Sequence, residues 1–165
     1  MIIIRPATLK DVDGIIQVCI EGNRVTYQDL LPASDMEEKI VTYYNNTRIQ
    51  DEIRNLDDSW NGWIVADEDG EIIGAGAGAG GYNEEGKAEV LALYLKPTRK
   101  RNGIGTKILA EITKVHQAQG AKEQWVSFIH KNELATLFYE AQDFTFIKET
   151  TDQEGHRYAH YKRKI

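Results

Sequence analysis

The chain has 165 residues, 41% of them hydrophobic and 28% charged, with a net charge of −6. That length and balance suit one domain, spanning residues 1–165, with a core of its own, and they exclude global disorder. No apolar run approaches the roughly 20 residues of a membrane helix, the acidic balance argues against general nucleic-acid binding, and one cysteine, Cys19, excludes an internal disulfide.

The start, Met1 to Arg5, is too short for a signal peptide and meets charge at once, so a cytoplasmic location is expected. Residues 2–6 read as a strand. Thr8 and Asp11 have the spacing of a capping box. Val12, Ile15, Ile16, Cys19 and Ile20 then recur at helical spacing, which makes Cys19 a small core residue. Residues 24–34 read as a connecting loop. Ser34 and Glu37 are spaced to cap a second helix, with Ile40, Val41 and Tyr44 inward. Asn45 and Asn46 interrupt it, and Thr47 with Gln50 restarts it with Ile49, Ile53 and Leu56 inward. Strands over 62–67 and 71–81 follow, joined at Asp69-Gly70, a strong hairpin signal. A turn over 82–87 leads to a strand over 88–96 that Pro97 stops. Ile104, Ile108, Leu109, Ile112 and Val115 mark a helix ending near Gly120, and 125–129 is a strand. Asn132 caps a helix with Leu134, Leu137, Phe138 and Ala141 inward. Residues 144–148 and 157–162 form a last hairpin. The order is that of a mixed α/β fold.

Two stretches stand out from this background. Gly74, Gly76, Gly78 and Gly80 share one face of a strand, a bare face that suits either a tightly packed helix or a substrate arm. The charge is also uneven. Residues 29–90 carry 15 acidic and 4 basic side chains, whereas 96–107 holds Lys96, Arg99, Lys100, Arg101 and Lys107 with no acid. A short basic loop on an acidic protein is suited to a compact anion. The loop joins a strand to a helix and carries Gly103 and Gly105, so the unpaired amides of a helix start are available to a phosphate. The spacing fits neither a P-loop nor a dinucleotide-binding fingerprint, which need glycines at other positions.

Leu93-Tyr94-Leu95-Lys96-Pro97 and the loop after it resemble the cofactor motif of the GNAT superfamily of acyl-CoA N-acyltransferases, [RQ]-x-x-G-x-[GA]. Lys100, Gly103 and Gly105 occupy the pattern, with Lys100 in place of the usual Arg or Gln. Asn132 to Phe144 resembles the family helix N-x-x-A-x-x-F-Y-E-x-x-G-F, with Asp143 in place of the commoner glycine. The resemblance implies a mixed sheet of six to seven strands, splayed between the fourth and fifth and flanked by about four helices. Acetyl-CoA would lie in the gap as acyl donor, with no metal. The backbone around Leu93, Tyr94 and Leu95 would pair with pantetheine, and Lys100, Arg101, Asn102, Gly103, Ile104, Gly105 and Thr106 would hold the pyrophosphate. Asn132 would contact the same arm, and Tyr139 would protonate the departing thiolate.

Aminolysis also needs a base to take a proton from the amine. Glu89 is the candidate, because in a regular strand it shares a face with Leu91, Leu93 and Leu95 and burial there raises a carboxyl pKa. Glu84 and Glu85 are reserves. Tyr27, in the loop before Pro32, and Tyr82 border the acceptor pocket by their place in the family fold. The acidic stretch would steer a cationic amine inward: a small amine, a polyamine or a peptide N-terminus. His156 and His160, with His116 and His130, lack a carboxylate or cysteine pattern for a metal. The C-terminal hairpin offers a surface for a homodimer. Two alternatives remain, a CoA-binding module without turnover and a nucleotide-binding protein using the same loop.

Overall fold

The computed structural model describes residues 1–57, 59–80, 85–99 and 102–165. In chain order the elements are β1 (Ile2–Pro6), α1 (Val12–Tyr27), α2 (Ala33–Tyr43), α3 (Asn46–Arg54), β2 (Trp63–Glu68), β3 (Glu71–Gly80) and β4 (Lys87–Leu95). Then come α4 (Ile104–Ala118), β5 (Glu123–Ile129), α5 (Glu133–Ala141), β6 (Thr145–Thr151) and β7 (Arg157–Lys164). The strands form one sheet in the order β1-β2-β3-β4-β5-β7-β6. Neighbours run antiparallel except β4 and β5, which are parallel. Among the described residues no helix is long and apolar enough to cross a membrane.

Local chemistry sets several boundaries. Asp69 and Gly70 both have positive φ, 51° and 94°, the backbone of a two-residue turn that follows strand twist. The Thr8 amide donates to Asp11 Oδ2 at 2.7 Å, and Arg5 grips the same carboxylate at 2.7 Å, which lowers its pKa. The predicted loop over 24–34 is much shorter. Helix α1 continues to Tyr27, because the Tyr27 ring is buried in a cluster with Met36, Ile40 and Ile129. Helix α2 begins at Ala33 after Pro32, so Ser34 is not its cap. Asn45, two residues before the expected Thr47, caps α3 by accepting from the Arg48 amide at 2.9 Å. Val41 is exposed because α2 buries the stripe through Met36 and Ile40, and Leu56 is exposed because it lies past the end of α3.

Helices cover the sheet on both sides. One face carries Ile73, Val90, Leu93 and Leu95 against Ile104, Ile108, Leu109 and Ile112 of α4. The other carries Ala75, Ala77, Ala92 and Tyr94 against α1, with Tyr44 and Ile49 beside it. The glycine stripe is explained by the first layer. A Cβ on Gly76 would come within 2.7 Å of Ile108 Cγ2, and one on Gly78 within 2.7 Å of His116 Nε2. The bare face therefore brings α4 close to the sheet, and a larger residue would force the layers apart.

Candidate active site

Strands β4 and β5 pair only from Lys87–Val90 on one side and Glu123–Val126 on the other. Beyond that point β4 continues to Leu95 and β5 to Ile129 with no ladder between them. A bulge accompanies the split. On β3, Gly78 faces Val90 and Ala77 faces Ala92, so Leu91 is the extra residue. Bulges bend a strand and end pairing, and this one leaves the peptide groups of Leu91–Leu95 on the β5 side without strand partners. The gap opens into a groove of about 1140 Å³ that Leu91, Leu93 and Leu95 line on one wall and Val126, Ser127 and Phe128 on the other.

The bulge corrects the parity assumed for Glu89. Val90 shares the α4 face with Leu93 and Leu95, so the residues before Leu91 are out of step with those after it. Glu89 therefore lies on the opposite face from Leu93 and Leu95, beside Ala79 and Trp125. It is solvent-accessible and is not among the described groove-lining residues, yet its neighbours desolvate the carboxyl enough to raise its pKa.

One end of the groove meets the start of α4. Gly103 is the N-cap with φ +76°, and nothing lies within 4 Å of where its Cβ would be. Gly105 is buried, and a Cβ there would stand 3.3 Å from Phe138. The first in-helix bond runs from the Lys107 amide to the Gly103 carbonyl, which leaves the amides of Ile104, Gly105 and Thr106 without helical partners. Gly103, Gly105 and Thr106 line the groove, so these donors suit a phosphate-sized anion. Asn102 is exposed next to them. Two expected anion-binding cations are spoken for: Arg99 donates to Glu68 at 2.7 Å and Lys96 pairs with Glu71. Lys100 and Arg101, like Tyr82 and Glu84, lie outside the described residues.

Helix α5 supplies the far wall. Asn132 is 8% exposed and caps the helix, its Oδ1 accepting from the Ala135 amide at 3.1 Å. It also lines the groove, as does Tyr139 two turns on, so the pair does share one face. The Tyr139 ring stacks on Phe128 at 5.7 Å and meets Phe138 and Phe144 edge-on. Burial raises its pKa, which keeps it a phenol. Leu134, Leu137 and Ala141 do not face the core as the spacing predicted. They are exposed and line the groove, because α5 turns Tyr139 to the sheet instead. Asp143 takes φ +68° and so keeps the turn that a glycine would make.

The other end of the groove is acidic and aromatic. Asp35, Glu38, Asp152 and Glu154 line it, with Tyr27 and Tyr158. Tyr27 sits there as the last residue of α1 and not in a loop. His156 Nε2 lies 3.0 Å from Asp35 Oδ2 and 3.5 Å from Glu154 Oε2, tying α2 to the turn between β6 and β7. The histidines do not cluster: His160 bonds Thr150, His130 pairs with Glu149, and His116 is buried against Gln124. Carboxylates do gather at His156, where the sequence offered no such pattern, because Asp35 is 121 positions away. Leu91, Asp35 and His156 thus belong to the groove with no local signal in the sequence.

Comparison with known proteins fits this geometry. The family model described as acetyltransferase (GNAT) family matches residues 26–144. Spermidine N(1)-acetyltransferase of Thermoplasma acidophilum is 28% identical over 149 residues, 86% of each chain. YuaI, an uncharacterized N-acetyltransferase of Bacillus subtilis, is 27% identical over 149 residues, 86% of this chain and 79% of that one. The crystal structure of PaiA N-acetyltransferase from Thermoplasma acidophilum, in complex with coenzyme A, superposes with a TM-score of 0.84 at 25% identity. The match covers 100% of this chain and 99% of that one.

Proposed function

The chain belongs to the acetyltransferase (GNAT) family, and from that premise we propose that it moves the acetyl group of acetyl-CoA to a cationic primary amine, polyamines foremost, by direct attack in a ternary complex. The observation that carries this reading is the groove's two ends. At one, unpaired β4 peptides meet the open start of α4; at the other stand the carboxylates of Asp35, Glu38, Asp152 and Glu154. The spermidine acetyltransferase relative supports the polyamine class.

Acetyl-CoA supplies the thioester carbonyl when bound. The residues suited to hold it are Leu93, Tyr94 and Leu95 through their backbone, Asn102, Gly103, Ile104, Gly105 and Thr106 around the helix start, and Asn132 beside them. By their place in the sequence, Lys100 and Arg101 add positive charge to the same grip. Backbone donors of β4 at the bulge suit the charge that grows on the carbonyl oxygen. Glu89 takes a proton from the incoming ammonium, through solvent given its exposure. The amine nitrogen bonds the acyl carbon and the carbon–sulfur bond breaks; Tyr139 gives its hydroxyl proton to the departing sulfur, and the second proton shed by the nitrogen as it becomes an amide restores the phenol through solvent in the groove. Tyr27 and, by the family fold, Tyr82 border the acceptor.

The test is release of free CoA thiol from acetyl-CoA on adding spermidine or 1,4-diaminobutane. Turnover at low ionic strength that declines as salt screens the acidic end is the expected result. CoA binding with no thiol release for any amine would replace this reading with that of a CoA-binding module. Within the same assay, Glu89→Gln is expected to lower kcat/KM roughly tenfold at neutral pH, a small effect for a general base because solvent can also take the proton. The loss should narrow at alkaline pH, where more of the amine is already neutral. An unchanged profile would remove Glu89 from that role.

A further inference from the structure

We propose that the ammonium of Lys39 occupies the seat that the acceptor's cationic amine takes, which makes Lys39 a built-in competitor that sets acceptor affinity. This rests on the reading of the groove as an amine acetyltransferase site. Lys39 Nζ stands 4.2 Å from the centroid of the Tyr27 ring, and both residues line the groove. A cation over a tyrosine face is attracted by the ring's quadrupole. The protein's own side chain thus demonstrates that an alkylammonium fits against this wall.

Three further observations point the same way. Lys39 is the only lysine or arginine among the described lining residues, against four carboxylates, Asp35, Glu38, Asp152 and Glu154. It nevertheless makes no ion pair among the described residues, whereas Arg24 on α1 and Arg48 on α3 pair with Glu37 and Glu52. Among the described residues the ring is its one recorded partner, so leaving costs little. Tyr27 itself is fixed, 7% exposed and packed with Met36, Ile40 and Ile129. A flexible lysine over a rigid, acid-flanked aromatic wall is an occupant that a second ammonium can displace.

Two readouts test this, one independent of turnover. Reductive methylation keeps lysines charged and gives each a labelled methyl signal. The Lys39 signal, assigned by its loss in Lys39→Arg, is expected upfield of exposed lysines because of the Tyr27 ring, and Tyr27→Leu should abolish that offset. Adding spermidine or butylammonium chloride should move it to the exposed-lysine position, while equal ionic strength of sodium chloride should not. In the assay, Lys39→Met is expected to lower the spermidine KM about fivefold, the equivalent of one exposed cation–π contact, with kcat within about twofold. Lys114→Met, on the exposed face of α4 and paired with Glu111, should leave KM unchanged and so controls for net charge. A Lys39 signal that no alkylammonium moves overturns the inference, as does an equal fall in KM for both variants. Absence of turnover with every amine, alongside a displaced Lys39 signal, would instead overturn the acetyltransferase reading and leave the ammonium seat standing.

Discussion

Replacing Tyr139 with phenylalanine is expected to lower kcat about 100-fold or more, with little change in folding or in CoA affinity. The ring's structural contacts do not involve the hydroxyl. Stacking on Phe128 at 5.7 Å and the edge contacts with Phe138 and Phe144 are all available to phenylalanine. The hydroxyl itself lies on a residue lining the groove, with no hydrogen-bond partner among the described residues. Burial pushes its pKa up, so the phenol is protonated throughout the working range. A raised pKa makes a weaker acid, and a thiolate in water, with a conjugate-acid pKa of about 8.5, would be a poor match. In the groove the match improves, because the desolvation that raises the phenol would also raise the pKa of a thiol leaving beside it. The measurement is steady-state kcat and KM for both substrates, with thermal unfolding and CoA titration of the variant. Full activity in Tyr139→Phe would eliminate the hydroxyl as proton donor. A Tm loss of several degrees would mean that the hydroxyl also contributes to packing.

The features legible in the sequence are those with local causes. The Asp69-Gly70 hairpin, the Thr8–Asp11 pair, the Asn132 cap and the helix start at Gly103 all depend on a few adjacent residues. Each of their interactions follows from backbone geometry. The glycine stripe was readable as a close approach but not as to what approaches, since Ile108 and His116 come from a different element. Periodicity names a face without naming its neighbour. On α5, positions 134, 137 and 141 and positions 135, 138 and 139 both form apolar stripes. Stacking on Phe128 from β5 decides between them. The largest miss is the bulge at Leu91. One extra residue reverses the parity of everything before it, and nothing in Ala88 to Leu95 announces the position. Of the carboxylates at the acidic end of the groove, Asp35 and Glu38 belong to the charge excess over 29–90, whereas Asp152 and Glu154 do not. The assembly is not legible in the sequence, because Asp35 and His156 meet only when the C-terminal hairpin folds back over α2.

Acid lability centred on His116 is the second large effect expected. His116 is fully buried, its ring pressed against Gly78 at the sheet. Its hydrogen bonds fix the tautomer. Arg163 Nε donates to Gln124 Oε1 at 2.8 Å, so the Gln124 amide nitrogen must turn to His116 Nδ1, 3.1 Å away. Nδ1 therefore accepts, the proton resides on Nε2, and Nε2 has no partner among the described residues. Protonating the ring would set a second N–H against the Gln124 donor, near the Arg163 guanidinium. Burial alone already pushes the pKa down to about 4. Because the folded value lies below the unfolded one, near 6.5, the neutral ring's contribution is fully present above pH 6.5 and is lost as pH falls toward 4. The gap corresponds to about 3 kcal/mol, roughly 300-fold in the unfolding equilibrium. His116→Leu removes the titration and leaves the Gln124 amide its bond to Thr113 Oγ1 at 3.0 Å. At neutral pH that variant is expected to be no more stable than the parent, and by pH 4.5 to be the more stable of the two. Urea unfolding of both proteins across that range measures the difference directly. Parallel stability curves would show that carboxylates, such as Asp11 in its pair with Arg5, carry the acid transition and that the imidazole does not.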